Sequence, residues 1–320
     1  MPPFTDALPY PSARQPVYGR DVVATSQPLA AQAGLRVLQE GGNAMDAAVA
    51  TAAALTVVEP TSNGIGGDCF ALVWTGGGLH GLNASGRAGS GMTPDKFAGQ
   101  DAIPRRGWAG VTVPGAPSGW SAMAQRFGTR TLAELLAPAV RYAREGFLAS
   151  PITASSWRSA ARVYPREGVF KAWHDTFAGD TVGSRPGRGP GAGEIVRLPD
   201  HADTLEAIGE TDAAAFYTGE LARRIAQASR EGGGWLTEND LGNHRPDWVR
   251  PLEKDYSGAH GDGARYTLHE IPPNGQGMTA QIALGILSHL PTSGLAVDSP
   301  ERLHLEAEAT RLAYRDRDRL

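Results

Sequence analysis

Hydrophobic and polar positions along the chain separate into helical stretches and one clear hairpin. The first helical stretch runs from Ala30 to Gln39, opened by Ser26 and Pro28 and stopped by Gly41-Gly42. Asn43 is placed to cap a second helix, with Asp46 in its first turn, before the alanine-rich run AMDAAVATAAALTVVEP. That many alanines predict close packing on both sides, as in a helix layer lying on a sheet. Phe70 to Thr75 and Leu79 to Asn83 then read as two strands joined by Gly76-Gly77-Gly78. Helical spacing returns at Ser118 to Phe127 and Leu132 to Glu145, each ended by a glycine, and again at Asp203 to Ile208 and Thr218 to Arg230. TVGSRPGRGPGAGE is a loop by composition. Tyr266 to Ile271 reads as a strand and Thr279 to Leu290 as a buried helix.

The last helix begins at Ser299-Pro300 and sets Leu303, Ala307, Thr310 and Tyr314 on one face. No Gly or Asn cap and no proline follows by Leu320, so the chain reads as cut rather than finished. Residues 1–20 are Pro-rich and read as an extended lead-in. No internal repeat and no clear linker divides residues 21–320, which read as one domain.

Composition narrows the function classes. A hydrophobic fraction of 41% in 320 residues is ample for a globular core. Thirty basic against thirty-four acidic residues leave a net charge of -4 with no concentrated basic tract, which argues against nucleic acid and membrane surfaces as partners. The single cysteine, Cys69, excludes an internal disulfide and reads as a small core residue; the eight histidines show no metal-ligand spacing, and no cofactor motif occurs. With neither a secretory leader pattern nor an apolar run approaching ~18 residues, the expected location is the cytoplasm.

Candidate chemistry gathers in Gly-rich loops. Asn63 to Asp68 precedes the hairpin and Asn83 to Gly91 follows it, a clustering that suits close approach of backbone to a ligand. In NASGRAGSG, Arg87 is either a guanidinium able to hold a carboxylate in two hydrogen bonds or simply a surface arginine. NGIGGD and PPNGQG are either anion-binding nests or tight turns. No G-x-S-x-G elbow and no phosphate-binding glycine motif is present, so the residues alone supply no complete catalytic set.

The order of the longer motifs adds what single patterns cannot. From about Asp21 onward, VVATSQPLAAQAGLRVLQEGGNAMDAAVATAAALTVVEPTSNGIGGDCFALVW, VTVPGAPSGW, LAELLAPAVRYAREGF, TLEAIGETDAAAFYTGELARRI, GGGWLTENDL, PPNGQG and EATRLAYRDRDRL resemble, in order, the large subunit of gamma-glutamyltransferases. The resemblance implies an α/β fold of the N-terminal nucleophile hydrolase class, an αββα sandwich. It also implies a precursor that cuts itself before a threonine. That threonine, first residue of a small subunit and absent from this chain, would attack a gamma-glutamyl amide and pass the acyl group to water or an amino-acid acceptor.

The family's large subunit recognises substrate through an arginine that begins an Arg-Glu-x-Ala-Pro motif. Aligned on the downstream DKF, this chain has Ser85 at that place and Arg87 two positions on, so Asn83, Ser85 and Arg87 are the candidate substrate-binding residues. NASGRAG, GIGGD and PPNGQG look more like the acylase-like branch, which includes cephalosporin and glutaryl acylases. Glutaryl is gamma-glutamyl without its α-amino group; a glutaryl or cephalosporin acylase is the alternative activity, and a non-catalytic subunit fragment or binding module the alternative class.

Overall fold

The computed structural model describes residues 17–184, 186–257, 265–292 and 294–319. The lead-in expected at residues 1–20 falls mostly on residues 1–16 and so lies outside them, as do Arg185 in the loop 181–194 and the end at Leu320. In chain order the elements are α1 (Pro28–Gln39), α2 (Ala44–Val58), β1 (Cys69–Thr75), β2 (Gly78–Ala84), α3 (Ala116–Phe127), α4 (Leu132–Glu145), β3 (Phe147–Leu148), α5 (Pro151–Val163) and α6 (Lys171–Phe177). There follow β4 (Ile195–Val196), α7 (Pro199–Glu210), α8 (Ala214–Tyr217), α9 (Glu220–Glu231), α10 (Glu238–Asn243), β5 (Asp247–Val249), β6 (Leu252–Ser257), β7 (Arg265–Glu270), α11 (Gly277–Leu287) and α12 (Pro300–Arg317).

The described residues of these elements form two compact units, Asp21–Cys69 with Ala84–Pro246, and Phe70–Asn83 with those from Asp247 onward. The first is a helical assembly. The α2 cap is the expected one: Asn43 accepts from the Met45 and Asp46 amides at 2.9 and 3.0 Å while Asp46 accepts from the Asn43 amide at 2.9 Å. The α1 cap is displaced by one residue. Gln27, not Ser26, accepts from the Leu29 and Ala30 amides at 2.5 and 3.1 Å, and Ser26 instead donates to Glu59. Within this unit α2 packs against α1, α3 and α4. Its alanines serve these helix-to-helix contacts, where small side chains let backbones approach. Trp120, Leu135, Leu136, Trp157, Leu205 and Ile208 are among the large side chains fully closed from solvent.

The second unit carries most of the strands. Its three-stranded sheet has the order β1-β2-β5, with β2 and β5 antiparallel in the register Gly81↔Val249, Leu82↔Trp248, Asn83↔Asp247. The β1–β2 reversal turns on Gly76 and Gly77, both with positive φ (52° and 92°), the conformation of a type I′ hairpin turn that a side chain would oppose. A second antiparallel pair, β6–β7, packs on α11, which in turn packs on α12. One expectation fails here: Thr279 and Ala283 are the buried residues of α11, most of the rest being half-buried. On α12 the face of Leu303, Ala307, Thr310 and Tyr314 is exposed, while Ala309 and Ala313 are buried. Two alanines one turn apart bring α12 close to its neighbour, so the larger apolar side chains point elsewhere.

Among the described residues no helix is long and apolar enough to cross a membrane, and no group of three or more His, Cys, Asp or Glu is placed to hold a metal ion.

Candidate substrate-binding loops

The three residues singled out in the sequence follow one another along the end of β2. Asn83 belongs to the strand-rich unit and is half-buried; its amide donates to Oδ1 of Asn274 at 3.0 Å. Asn274 is the asparagine of PPNGQG, so two of the Gly-rich motifs meet through a side-chain amide pair although 191 positions separate them.

Ser85 and Arg87 belong to the helical unit, Ser85 half-buried and Arg87 exposed. Their backbone is pinned from one side by the segment 112–118. Val113 donates to the Arg87 carbonyl at 2.9 Å, and Ala88 bridges Thr112 in antiparallel fashion. The same segment reaches the preceding Gly-rich loop, because the Gly115 and Ala116 amides both donate to the Gly67 carbonyl at 2.8 and 3.0 Å. Contact is so close that only glycine fits: a Cβ on Gly86 would lie 1.4 Å from the Val113 carbonyl oxygen, and one on Gly115 would lie 1.8 Å from that of Ala84.

Beyond Arg87 the loop is tied down again. Ser90 donates its amide to Oδ1 of Asp240 at 3.0 Å, and Asp240 also closes the capping box of α10 with Thr237. Burial pushes the Asp240 carboxyl up, but the hydrogen bonds from Thr237 and Ser90 outweigh it and hold the group below the usual carboxylate range. The motif GGGWLTENDL thus contributes an anion that fixes the far end of the arginine loop.

Residues that sequence reasoning did not single out complete the support. Tyr217, buried at the end of α8, donates its hydroxyl to the Pro114 carbonyl at 2.7 Å and accepts from the Ser118 amide at 3.1 Å. Ser118 donates its one hydroxyl proton to the Gly115 carbonyl at 2.7 Å and lies 2.9 Å from Nε2 of His244. The Ser118 hydroxyl thus ties the Gly115 carbonyl to the His244 ring and braces the segment 112–118. Burial pushes the Tyr217 phenol up to about 12, which keeps it neutral and able to donate. Only tertiary structure brings these three together; their local sequence carries no signal beyond polar residues beside apolar ones.

Cys69 is half-buried rather than a core residue, and its side chain lies beside Gly119 of α3. Burial, with Asp68 adding to it, pushes the thiol up to about 11 from an ordinary 9.0. Alkylation by iodoacetamide at neutral pH is therefore expected to run roughly 100-fold slower than for a free cysteine. A rate matching that of free cysteine would show an exposed thiolate instead.

With this geometry in place, the chain belongs to the gamma-glutamyltranspeptidase family, whose sequence profile matches residues 30–320. It is 36% identical over 302 residues to the glutathione hydrolase-like YwrD proenzyme of Bacillus subtilis, covering 93% of this chain and 54% of that protein. Among solved structures it is similar to the cephalosporin acylase of Bacillus halodurans, with TM-score 0.84 and 46% identity over 97% of this chain and 56% of the acylase. It is also similar to the gamma-glutamyltranspeptidase of Helicobacter pylori, with TM-score 0.85 and 28% identity over 95% of this chain and 85% of the other. The fold is accordingly the N-terminal nucleophile hydrolase one that the resemblance implied. The chain spans about half the length of the curated relatives it matches.

Proposed function

We propose that this chain is the large-subunit portion of an enzyme that cleaves gamma-glutamyl amides such as glutathione through an acyl-threonine intermediate. The threonine belongs to a small subunit released from the same precursor. Its hydroxyl attacks the amide carbon, its own amine takes the hydroxyl proton and returns it to the departing amine, and water or an amino-acid acceptor then resolves the ester. This chain's part is to hold the acyl group.

The Arg87 loop is the observation that carries this reading. An exposed guanidinium stands on a backbone fixed at its own carbonyl by Val113 and at Ser90 by Asp240, which is what recognition of a carboxylate in two hydrogen bonds requires. Ser85, where the family's usual arginine would stand, adds a neutral hydroxyl. In the processed two-subunit enzyme, Arg87→Ala is expected to lower kcat/KM for a gamma-glutamyl anilide about 10- to 100-fold, the worth of one or two charge-assisted hydrogen bonds. Unchanged rates on both gamma-glutamyl and glutaryl anilides would remove Arg87 from acyl recognition. No turnover of either by the processed enzyme would overturn the proposed activity itself.

A second reading, a glutaryl or cephalosporin-type acylase, is favoured by the likeness to the Bacillus halodurans acylase. Glutaryl keeps the carboxylate of gamma-glutamyl and lacks only its α-amino group, so a pocket with no partner for that ammonium loses nothing toward it. The ratio of kcat/KM for gamma-glutamyl and glutaryl versions of one leaving group decides between the two.

A further inference from the structure

Away from the loops described above, and still within the helical unit, Arg158, Arg162, Arg166 and Arg188 line one cavity of about 720 Å³. Its remaining lining includes Tyr164 and Gly187, and among the described residues no carboxylate lines it. Arg158 and Arg162 lie one turn apart on α5, Arg166 follows in the connection after it, and Arg188 comes from the loop 181–194. Two of the four are already engaged with backbone: Arg158 donates to the Pro190 carbonyl at 2.9 Å and Arg166 to the Gly187 carbonyl at 3.0 Å. These bonds staple the 181–194 loop to the end of α5 and hold Arg188 opposite the helix. Among the described residues neither Arg162 nor Arg188 has a hydrogen-bond or ion-pair partner.

Ordinary explanations account for part of this arrangement. Cations are favoured at the negative end of a helix, which covers Arg162 and Arg166 near the end of α5. It does not cover Arg158, a turn and a half inside the helix, or Arg188, supplied by a separate loop. Nor is an aromatic face on offer: Tyr164 stacks on Phe170 with centroids 5.3 Å apart and has Arg106 at 6.0 Å from its ring. Like charges gathered in a concave wall repel one another and focus a positive potential into the cavity, in a chain whose formal charge is -4.

We propose that this four-arginine cavity is a binding site for a compact oxyanion carrying two or more negative charges, of the phosphate or polycarboxylate kind. Guanidinium forks match both phosphate and carboxylate oxygens, and a cavity of this volume has room for such an anion with part of its water. Engagement by Arg162 and Arg188 relieves the repulsion, while Arg158 and Arg166 keep the wall in place. The site is separate from the Arg87 loop and its test does not depend on the proposed activity.

The test is isothermal titration calorimetry of the full-length processed protein at low salt, with inorganic pyrophosphate and with citrate as probes. Saturable binding of one anion per chain is expected, weakening as salt is added and falling at least about tenfold in R162Q/R188Q. Both positions are exposed, so that variant should melt with the wild type. R162K/R188K, which keeps charge but not the planar forks, should fall between the two. Binding of both probes supports a general oxyanion site, and binding of only one supports the site and names its chemistry. Absence of saturable heat with either probe, or an affinity unaltered in R162Q/R188Q, would overturn the proposal.

Discussion

Replacing Gly115 with alanine is expected to destabilise the helical unit by about 3 kcal/mol and to lower turnover by the processed enzyme about 100-fold. The added Cβ would sit 1.8 Å from the Ala84 carbonyl oxygen, a backbone atom with no rotamer to escape into. Gly115 also donates to the Gly67 carbonyl at 2.8 Å and accepts from Ser118, so any retreat of its backbone pulls on both the preceding Gly-rich loop and the Tyr217–Ser118–His244 brace. Retreat on the other side moves Ala84 and, three residues later, Arg87. A shift near 1 Å at a substrate-holding group suffices for a loss of that size. Gly66→Ala is the matched control: it lies in the neighbouring loop and its Cβ would meet nothing within 4 Å, so its melting temperature and rates should stay near the wild type. Equal damage in both variants would show that the loops tolerate no side chain whatever the contact, and the argument from close approach would fail.

What the sequence made visible and what it hid follow a physical division. Elements marked by a cap or a breaker were legible: Asn43 with Asp46 for α2, Gly146 for the end of α4, Ser299 with Pro300 for α12. The hairpin was legible because Gly76 and Gly77 have one natural use between two apolar runs. α5 was not, since its buried side is Thr153, Ala154, Trp157 and Ala161, a face of small and polar residues with one indole that makes no hydrophobic period. The arginine cavity was hidden for the same reason, because spacing by four at Arg158, Arg162 and Arg166 means a stripe only once a helix is known to carry the first two. β3 and β4 are two residues each, too short to alternate.

On α12 periodicity located a stripe of larger side chains, and burial falls on Ala309 and Ala313, since the closest helix approach selects the smallest residues. At the candidate site the ordered motifs pointed to the Gly-rich loops, but which loop touches which was unreadable. Gly67 to Gly115, Ser90 to Asp240 and Asn83 to Asn274 are all long-range pairings made by backbone or short polar groups, and these leave no periodic trace.

Asp46 is expected to be worth about as much to stability as Gly115, by electrostatics instead of shape. Its carboxylate is buried at the start of α2, where it accepts from the Asn43 amide at 2.9 Å, the Thr129 amide at 2.9 Å and the Thr129 hydroxyl at 2.6 Å, joining the α2 cap to the turn before α4. Asp46→Ala leaves those donors buried without an acceptor and should cost about 3 kcal/mol, seen as a fall of roughly 5 °C or more in Tm. Burial raises this carboxyl, yet the bonds from Thr129 and Asn43 prevail and hold it below its usual range. A carboxylate depressed by folding contributes its full stability above the unfolded value near ~4 and loses it as pH falls toward the lower folded value. The stability gap between wild type and Asp46→Asn, which cannot titrate, should accordingly be constant from neutral pH down to about 5 and narrow below that. Denaturant unfolding of both proteins across that range measures it. A gap that instead widened in acid would mean that folding raises the Asp46 carboxyl, and that burial outweighs the hydrogen bonds from Asn43 and Thr129.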